Sequence, residues 1–403
     1  MNICIFEDEK YINFFPLTLS RPTFELRVGR RTIRERIIQH FPKENVYLIT
    51  RNYLKEVLSE NVRKVSFEIN KQPTLFINSR IVSPEIIKKE IDKEKKEVLF
   101  FSEDELVAAK VNNGITFYER LKNKDFGKYL KKHLNIKMFS YLWEINEYNK
   151  KAIEEDFNIV GNKLPKLINI NILNKSKIYV AENVEIMPGV VIDASSGPVI
   201  IDERTKLMPN CFLQGPIYLG RNCLIKPGTR IYGPSSIGNV CKVGGEIAES
   251  TFQGFSNKQH DGFIGHSYIG EWVNIGADTN NSDLKNNYKE VTVYINNKPV
   301  NTHLTFVGTF IGDHSKTAIN TSINTGTVIG FSCNIFGEGF PPKFIPSFSW
   351  GGKRRFSTYK LEDAISTAEK VMSRRNVQMT SAYKKMVKEI FELTKKERVW
   401  VTE

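Results

Sequence analysis

Branched aliphatic residues recur at every sixth position through the middle of the chain. The register holds at Ile201, Leu207, Leu213, Leu219, Ile225, Ile231, Ile237 and Val243. A slimmer residue lies two positions before each of them, at Val199, Thr205, Cys211, Ile217, Cys223, Thr229, Ser235 and Cys241. A period of six fits neither an amphipathic helix nor an alternating strand. It is typical of a three-sided coil with one aliphatic side chain per face pointing inward, and it predicts a left-handed parallel β-helix over residues 176–350.

The hexapeptide register is interrupted twice. It breaks between Val243 and Ile264, and again between Asp278 and Val307. The second interruption is polar, and the sequence NNKP at residues 296–299 predicts a hairpin within it. Repeat proteins place such insertions on one face, which is often the working face. The chemistry of this chain is therefore expected near the two interruptions.

The flanking regions show ordinary strand and helix patterns. Residues 1–145 alternate short apolar runs with amphipathic stretches, which predicts a Rossmann-like α/β domain with a mostly parallel sheet. The predicted strands are MNICIF, NVYLIT, TLFIN and ELVAAKVNN, and the predicted helices are RRTIRERIIQHF and PEIIKKEIDKEKK. Residues 146–175 are typical of a connecting helix followed by a linker. Residues 351–403 carry two helical stripes and predict a short C-terminal helical segment.

Composition narrows the functional classes. The chain has 403 residues, a net charge of +13 and five cysteines, an odd number without CxxC spacing, which argues against disulfide and metal sites. No apolar run is long enough for a membrane span, and the first residues lack the features of a signal peptide, so we expect a cytoplasmic protein without a membrane partner. The basic excess favours anionic small molecules over nucleic acid, because no basic stretch is interleaved with aromatic residues.

The segment between the two interruptions carries a familiar series of residues. The series is His260, Phe263, Gly265, Ile269–Gly270, Asn274–Thr279 and Asn287–Tyr288. It resembles the acetyltransferase half of the bifunctional enzyme that acetylates glucosamine-1-phosphate and then uridylylates it to UDP-N-acetylglucosamine. The whole chain is similar to a bacteroidete-type group of sugar nucleotidyltransferase-like proteins joined to a hexapeptide acyltransferase. The shared stretches are PLTLSRP, RVG, KVGGE, NKQHDGF, IGEW, GADTN, LKNNY, GDHSK, NTGTVIG and PSFSWGG.

This resemblance implies transfer of an acyl group from acetyl-CoA, or another acyl-CoA, to an amino sugar phosphate or nucleotide sugar inside a homotrimer. Attack of an amine on a thioester needs a base near neutral pH, which histidine supplies best. His260 is the candidate base, Asp261 would orient a ring or bind the amine, and His314 is the rival base. The implied acceptor-binding residues are Lys226, Lys258, Phe263, Asn274, Asn287 and Tyr288. The implied cofactor-binding residues are Ala277, Asp313, Thr325, Trp350, Lys353 and Arg354.

Several positions differ from the family pattern. The family's phosphate-binding arginine is Lys226 here, its following lysine falls on Gly244, and its tyrosine falls on Phe263. A small serine near the family's cofactor falls on Asp313. These changes remove donors for a phosphate group, so the acceptor and the acyl group stay open. Active sites in the family lie between subunits, so the polar loop 280–304 is expected to contact a second subunit.

The N-terminal domain resembles a nucleotidyltransferase whose phosphate cradle is altered. The expected glycine-rich loop is EDEKYINFF, the family's Pro-Lys pair is Pro22–Thr23, and its Mg²⁺-binding aspartate is Asn78. Arg21, Arg27 and Asn78 remain as candidate nucleotide-binding residues, and Mg²⁺ is implied only if the domain is active. Three functions stay open: an acyltransferase with a degenerate N-terminal domain, a bifunctional nucleotidyltransferase/acetyltransferase, and a non-catalytic trimeric scaffold.

Overall fold

The computed structural model describes residues 1–62, 65–127, 129–165 and 169–399. The chain divides into two compact units by its contacts. Unit 1 comprises Met1–Ile12, Arg21–Leu26 and Arg31–Ser140, and unit 2 comprises Asn13–Ser20, Arg27–Arg30 and Tyr141–Glu403. Residues 166–168 of the predicted linker lie outside the described residues.

The N-terminal region alternates strands and helices. Its strands are β1 (Asn2–Phe6), β2 (Arg27–Val28), β3 (Arg31–Thr32), β4 (Val46–Ile49), β5 (Val65–Ser66), β6 (Thr74–Asn78), β7 (Val98–Ser102), β8 (Glu105–Val111) and β9 (Leu130–His133). Its helices are α1 (Ile33–Ile38), α2 (Asn52–Asn61), α3 (Pro84–Asp92) and α4 (Gly114–Lys122), and α5 (Leu142–Val160) opens the continuous part of unit 2. Short 3-10 helices occupy Glu9–Phe14, Leu17–Leu19, Thr23–Glu25, Lys175–Lys177 and Lys395–Glu397. The helix α1 begins with a capping box in which the Thr32 side chain accepts from Glu35 N–H and the Glu35 carboxylate accepts from Thr32 N–H.

The main sheet of unit 1 has the strand order β5-β4-β1-β6-β8-β7-β9. All neighbouring pairs are parallel except those that β8 makes with β6 and β7. The predicted α/β domain with a mostly parallel sheet is confirmed. Because successive strands lie on opposite sides of β1, the carboxyl ends of β1 and β6 form the switch point where such sheets bind ligands.

Unit 2 is dominated by a three-sided parallel β-helix. Its first strands are β10 (Asn171–Leu173), β11 (Ile178–Val180), β12 (Glu185–Ile186), β13 (Val191–Asp193), β14 (Val199–Ile201), β15 (Lys206–Leu207), β16 (Phe212–Gln214), β17 (Ile217–Leu219) and β18 (Leu224–Ile225). The next are β19 (Arg230–Tyr232), β20 (Ser235–Ile237), β21 (Lys242–Val243), β22 (Glu246–Ala248), β23 (Thr251–Gly254), β24 (Asn257–Lys258), β25 (Phe263–Gly265), β26 (Tyr268–Glu271) and β27 (Asn280–Asn281). The last are β28 (Thr292–Ile295), β29 (Lys298–Asn301), β30 (Thr309–Ile311), β31 (Lys316–Thr317), β32 (Ser322–Ile323), β33 (Thr327–Ile329), β34 (Asn334–Ile335), β35 (Phe344–Ile345), β36 (Ser349–Gly351) and β37 (Phe356–Thr358).

The chain visits three flat faces in turn. Face A is β11-β14-β17-β20-β23-β26-β30-β33-β35, face B is β12-β15-β18-β21-β24 with β31-β34-β36 further along, and face C is β10-β13-β16-β19-β22-β25 with β27-β32 further along. We name the turns between them the AB, BC and CA corners, in chain order. The predicted left-handed parallel β-helix is confirmed.

The hexapeptide row forms the core of this coil. All eight aliphatic positions from Ile201 to Val243 are fully buried, and four of the cysteines lie in the same core. The first interruption is not a gap in the coil. The row continues inward at Ile247 and Phe252, which follow at shortened intervals because two corners are short, and then at Lys258 with the ordinary spacing.

The second interruption is an insertion between β27 and β30. It contains the antiparallel hairpin β28–β29, in which Thr292 pairs with Asn301 and Ile295 with Lys298. The turn residues Asn296 and Asn297 have φ of 49° and 59°, which suits the tight turns that join such strands. The predicted hairpin is confirmed.

Two helices follow the coil, α6 (Leu361–Ser373) and α7 (Ser381–Leu393). The Thr380 side chain caps α7 by accepting from Tyr383 N–H. Ala368 and Met372 of α6 pack on Trp272 at the AB corner, so α6 covers a corner of the coil. In the part of the chain that the structure describes, every helix falls short of the length and apolarity that a membrane crossing requires.

Candidate functional site

The BC corner gathers the residues that the sequence singled out for catalysis. His260 and Asp261 lie between β24 and β25, and both side chains are exposed. In the next coil, Asp278 N–H donates to Asp261 O at 2.9 Å, which places Ala277 and Asp278 directly beside the His260 corner. The corner therefore presents an imidazole and two carboxylates on one exposed edge.

Two glycines of the preceding coil pack closely against the backbone of the His260 corner. Gly244 and Gly245 form the BC corner of the preceding coil, and Gly245 has a φ of +70°. A Cβ atom at Gly245 would lie 2.9 Å from His260 O, and one at Gly244 would lie 2.4 Å from Gln259 O. Only glycine fits at such approaches. The pair lets the backbones of the two coils stack closely at this corner.

Lys258, predicted to bind the acceptor, points into the coil instead. It pairs in register with Val243 and occupies an inward slot of the aliphatic row, where it is 1% exposed. Its Nζ donates to His260 O at 2.6 Å and to Asp261 O at 3.0 Å. Burial lowers its pKa to about 8, although Asp261 and Asp278 favour the charged form. Lys258 supports the catalytic corner from within, and this geometry does not present its ammonium to an acceptor.

The structure adds a residue that the sequence did not single out. Arg375, just after α6, donates from Nη2 to Asn257 Oδ1 at 2.6 Å. Asn257 and Lys242 are register neighbours on the outer side of face B. Arg375 thus joins the surface that leads to the His260 corner, from a position that no local motif connects to it.

The other predicted acceptor-binding residues are dispersed. Asn274 is exposed on face B, where its Oδ1 accepts from Asn257 Nδ2 at 3.4 Å. Phe263 lies on face C, and its N–H donates to Asn280 Oδ1 at 2.8 Å. Asn287 and Tyr288 lie in the insertion, and Tyr288 is 73% exposed. Lys226 and Asn274 lie nearest to the catalytic corner in the coil register, while Asn287 and Tyr288 do not contact it.

Three predicted cofactor-binding residues lie on three different corners. Ala277 is on the BC corner, Asp313 on the AB corner and Thr325 on the CA corner. Asp313 is 1% exposed and accepts from Ser20 Oγ at 2.6 Å and from Glu271 N–H at 2.8 Å. Thr325 is also 1% exposed. A single protomer cannot bring these three residues to one ligand, and Asp313 and Thr325 are structural.

The remaining cofactor candidates lie in later coils on the side of Ala277. Trp350 is an outer residue of face B, 41% exposed, with its ring 5.6 Å from that of Phe336. Lys353 follows it, and Arg354 pairs with Glu338 on the surface. Phe336 is 41% exposed beside the BC corner. Exposed apolar side chains followed by basic ones fit a ligand with an apolar stem and anionic groups, so Ala277, Trp350 and Lys353 suit acyl-CoA.

The other histidines of unit 2 are placed less favourably for proton transfer. His314 is 1% exposed, its Nε2 lies 2.8 Å from Tyr383 Oη, and its ring lies between those of Trp272 and Phe331. His266 is on the CA corner, where burial disfavours the charge, but Asp283 and Glu249 raise its pKa to about 9. A histidine that is protonated at neutral pH is a poor base. His260 is therefore the best placed of the candidate bases.

At the switch point of unit 1, charged side chains fill the expected phosphate position. The Arg80 side chain is 1% exposed and donates from Nη2 to Asp8 Oδ2 at 2.6 Å and from Nη1 to Phe139 O at 2.7 Å. It also pairs with Glu105, which binds Lys10. Burial opposes ionisation of Asp8, but the hydrogen bonds and charge of Arg80 outweigh it and hold the pKa of Asp8 below its ordinary value. A nucleotide phosphate or Mg²⁺ at this point would have to displace the guanidinium.

Comparison with known proteins identifies the N-terminal region. Residues 3–163 match the family described as sugar nucleotidyl transferase. This part of the chain is therefore similar to the sugar nucleotidyl transferase family. The family resemblance seen in the sequence is thereby confirmed.

Curated relatives are similar to larger parts of the chain. The bifunctional sugar-1-phosphate nucleotidylyltransferase/acetyltransferase of Sulfurisphaera tokodaii is 28% identical over 194 residues, which cover 48% of this chain and 43% of that protein. The bifunctional protein GlmU of Methanococcus aeolicus is 27% identical over 380 residues, which cover 80% of this chain and 90% of that protein. Among solved structures, a UDP-N-acetylglucosamine acyltransferase from Bacteroides fragilis 9343 is 15% identical with a TM-score of 0.24, over 56% of this chain and 96% of that one.

The nucleotide-binding candidates of the N-terminal region make contacts within their own units. Asn78 is 1% exposed and donates to Asp8 Oδ2 at 2.9 Å and to Leu106 O at 3.0 Å. Arg21 is buried in unit 1, and its carbonyl accepts from Arg51 Nη2. Arg27 belongs to unit 2, where its guanidinium donates to Gln253 O at 3.1 Å. Arg27 and Asn78 are therefore held by internal contacts, which argues against their predicted role.

Proposed function

We propose that the protein is an acyl-CoA-dependent acyltransferase that acylates the amino group of a sugar phosphate or nucleotide sugar. The observation that carries this proposal is the exposed His260–Asp261 corner, which stacks on the glycine corner of the preceding coil on one side and on Ala277–Asp278 of the next coil on the other. The names of the curated relatives support the reaction class. We further propose that unit 1 is degenerate as a nucleotidyltransferase and that the protein acts as a homotrimer.

His260 acts as the general base in this proposal. Acyl-CoA, when bound, supplies the acyl thioester. His260 accepts the proton that the acceptor nitrogen loses as its bond to the acyl carbon forms, and it returns a proton to the sulfur as the carbon–sulfur bond breaks. Asp261 and Asp278 lie on the same corner, where their carboxylates can accept hydrogen bonds from the amino group of the acceptor. Lys258 holds the carbonyls of the same corner, which keeps the imidazole in place.

Acyl transfer is tested with acetyl-CoA and glucosamine-1-phosphate by following release of the CoA thiol. We expect thiol release that depends on the acceptor, because His260 lies on an exposed corner and the exposed Phe336 and Trp350 follow in later coils on the side of Ala277. N-acetylglucosamine-1-phosphate is the matched control, since its nitrogen is already acylated and should give no release. Two negative results together would favour a non-catalytic scaffold protein instead. These are no thiol release with any amino sugar phosphate or amino nucleotide sugar, and no thermal stabilisation by acetyl-CoA.

A bifunctional enzyme is the second candidate, because the relatives in both Sulfurisphaera and Methanococcus carry bifunctional names. Against it stands Arg80, which occupies the switch point of unit 1 together with Asp8 and Glu105. We expect no pyrophosphate release from UTP and N-acetylglucosamine-1-phosphate in the presence of Mg²⁺. Steady pyrophosphate release would show that the guanidinium moves aside and that unit 1 is active.

A further inference from the structure

Four positive side chains crowd the surface next to the His260 corner. Lys226 and Lys242 come from the coil, and Arg374 and Arg375 come from the end of α6. Lys242 lies on the outer side of face B, one strand from Asn257, to which Arg375 is bound. The cluster therefore combines two parts of the chain that are far apart in sequence.

The charges in this cluster are not balanced within the protein. Burial, followed by the charges of Arg375, Arg374 and Lys226, lowers the pKa of Lys242. Burial and the charge of Arg374 likewise lower the pKa of Arg375. Among the described residues, no carboxylate forms an ion pair with any of these four cations. Like charges held together repel, and an anion bound between them would remove that repulsion.

Arg375 also has a donor that is left unused. Its Nη2 is anchored on Asn257, while its Nε–H is buried and has no hydrogen-bond partner. A buried donor without a partner is costly. A guanidinium whose orientation is fixed in this way matches the paired oxygens of a phosphate group.

We propose that Lys226, Lys242 and Arg375 form a phosphate-binding site that holds the phosphate group of the acceptor beside His260. The ligand class is a sugar phosphate, either a monoester or the diphosphate of a nucleotide sugar. The assignment to the acceptor rests on the proposed acyl transfer, whereas the anion site does not. Arg375 would bind the phosphate oxygens through guanidinium N–H groups that Asn257 does not hold, and Lys226 and Lys242 would add their positive charges. The phosphates of CoA are the other source of the same chemistry.

The site is tested by titrating the full-length protein with inorganic phosphate at constant ionic strength and following its melting temperature. We expect a saturable rise for the wild type and at least about a 10-fold weaker affinity for Arg375→Met and for Lys242→Met, because each loses a charge-assisted contact. Lys388→Met is the matched control, since it removes one exposed positive charge from α7 outside the cluster. A wild type without a phosphate response, or variants that respond as the wild type does, would overturn the site.

The source of the phosphate is decided by titrating glucosamine-1-phosphate, glucosamine and CoA separately. We expect Arg375→Met to lower the affinity for glucosamine-1-phosphate at least about 10-fold. The affinities for glucosamine and for CoA should stay unchanged. If Arg375→Met lowered only the affinity for CoA, the assignment of the site to the acceptor phosphate would be overturned. If the chain binds phosphate through Arg375 but transfers no acyl group, the acyltransferase proposal fails while the anion site stands.

Discussion

Replacing His260 with alanine is expected to lower kcat for acyl transfer by about 100-fold or more, the usual contribution of a positioned general base. The imidazole is exposed on the BC corner, so the fold does not depend on it. Surface substitutions of this kind usually change stability by less than about 0.5 kcal/mol. The loss should therefore appear in kcat at an unchanged melting temperature, measured by thiol release and thermal unfolding.

His303→Ala provides the matched control for this experiment. His303 lies just after the hairpin in the insertion, 79% exposed in its side chain, and its Nδ1 lies 3.3 Å from Glu290. Its removal should leave kcat unchanged. Near-normal turnover of His260→Ala would show that the base lies elsewhere, and buried His314 would then need an opening motion of α7 to reach a substrate.

Replacing Arg80 with methionine is expected to destabilise the protein by about 3 kcal/mol, measured by urea unfolding. Methionine fills similar space but leaves Asp8 and Glu105 without their shared partner in a largely buried site. Breaking a buried ion pair on one side typically costs about 3–5 kcal/mol. The lower value is appropriate because both carboxylates retain some contact with water, at 23% and 28% exposure.

Lys88→Met tests whether this effect depends on burial. Lys88 pairs with Asp92 along α3, but its side chain is 38% exposed. Exposed pairs contribute about 0.5 kcal/mol, so this variant should unfold almost as the wild type does. An Arg80→Met variant as stable as Lys88→Met would contradict the importance of the network.

The effect of Arg80 should also depend on pH. Burial opposes ionisation of Asp8 and Glu105, yet hydrogen bonds and charge from Arg80 and Lys10 hold the pKa of each below its ordinary value. Their contribution to stability is therefore present above about pH 4, the ordinary range of these carboxyls, and it is lost as the pH falls through the lowered values. The difference in the free energy of unfolding between the wild type and Arg80→Met should therefore become smaller below about pH 4.

The fold could be predicted largely because its periodicities are local. A buried aliphatic every six residues describes the three-sided coil wherever the corners have uniform length. The prediction stopped at Val243, because the glycine corner at Gly244–Gly245 shortens the spacing to Ile247. Counting every sixth residue fails where the corners differ in length. The hydrogen-bonded pairing of the strands nevertheless continues through these corners.

The site was predicted only where a motif carried it. His260, Asp261 and Ala277 are close in sequence and meet on one corner, as the family resemblance implied. Asp313 and Thr325 are equally close to motif residues, but successive turns of the coil place them on other corners. A difference of a few residues along a triangular coil moves a side chain to another side of the molecule.

The sequence by itself determined the class of each region: a β-helix from its period of six, an α/β domain from its alternation, and a histidine of the kind that acyl transfer needs. Only the tertiary structure decided which charges meet. Lys258 points inward because the coil register gives it an aliphatic slot. Arg80 fills the switch point because two strand ends and β8 converge there, and Arg375 reaches Asn257 because α6 folds back along the AB corner. Coulomb interactions act through space over a few ångströms, and no pattern along a chain records which distant residues folding brings within that range.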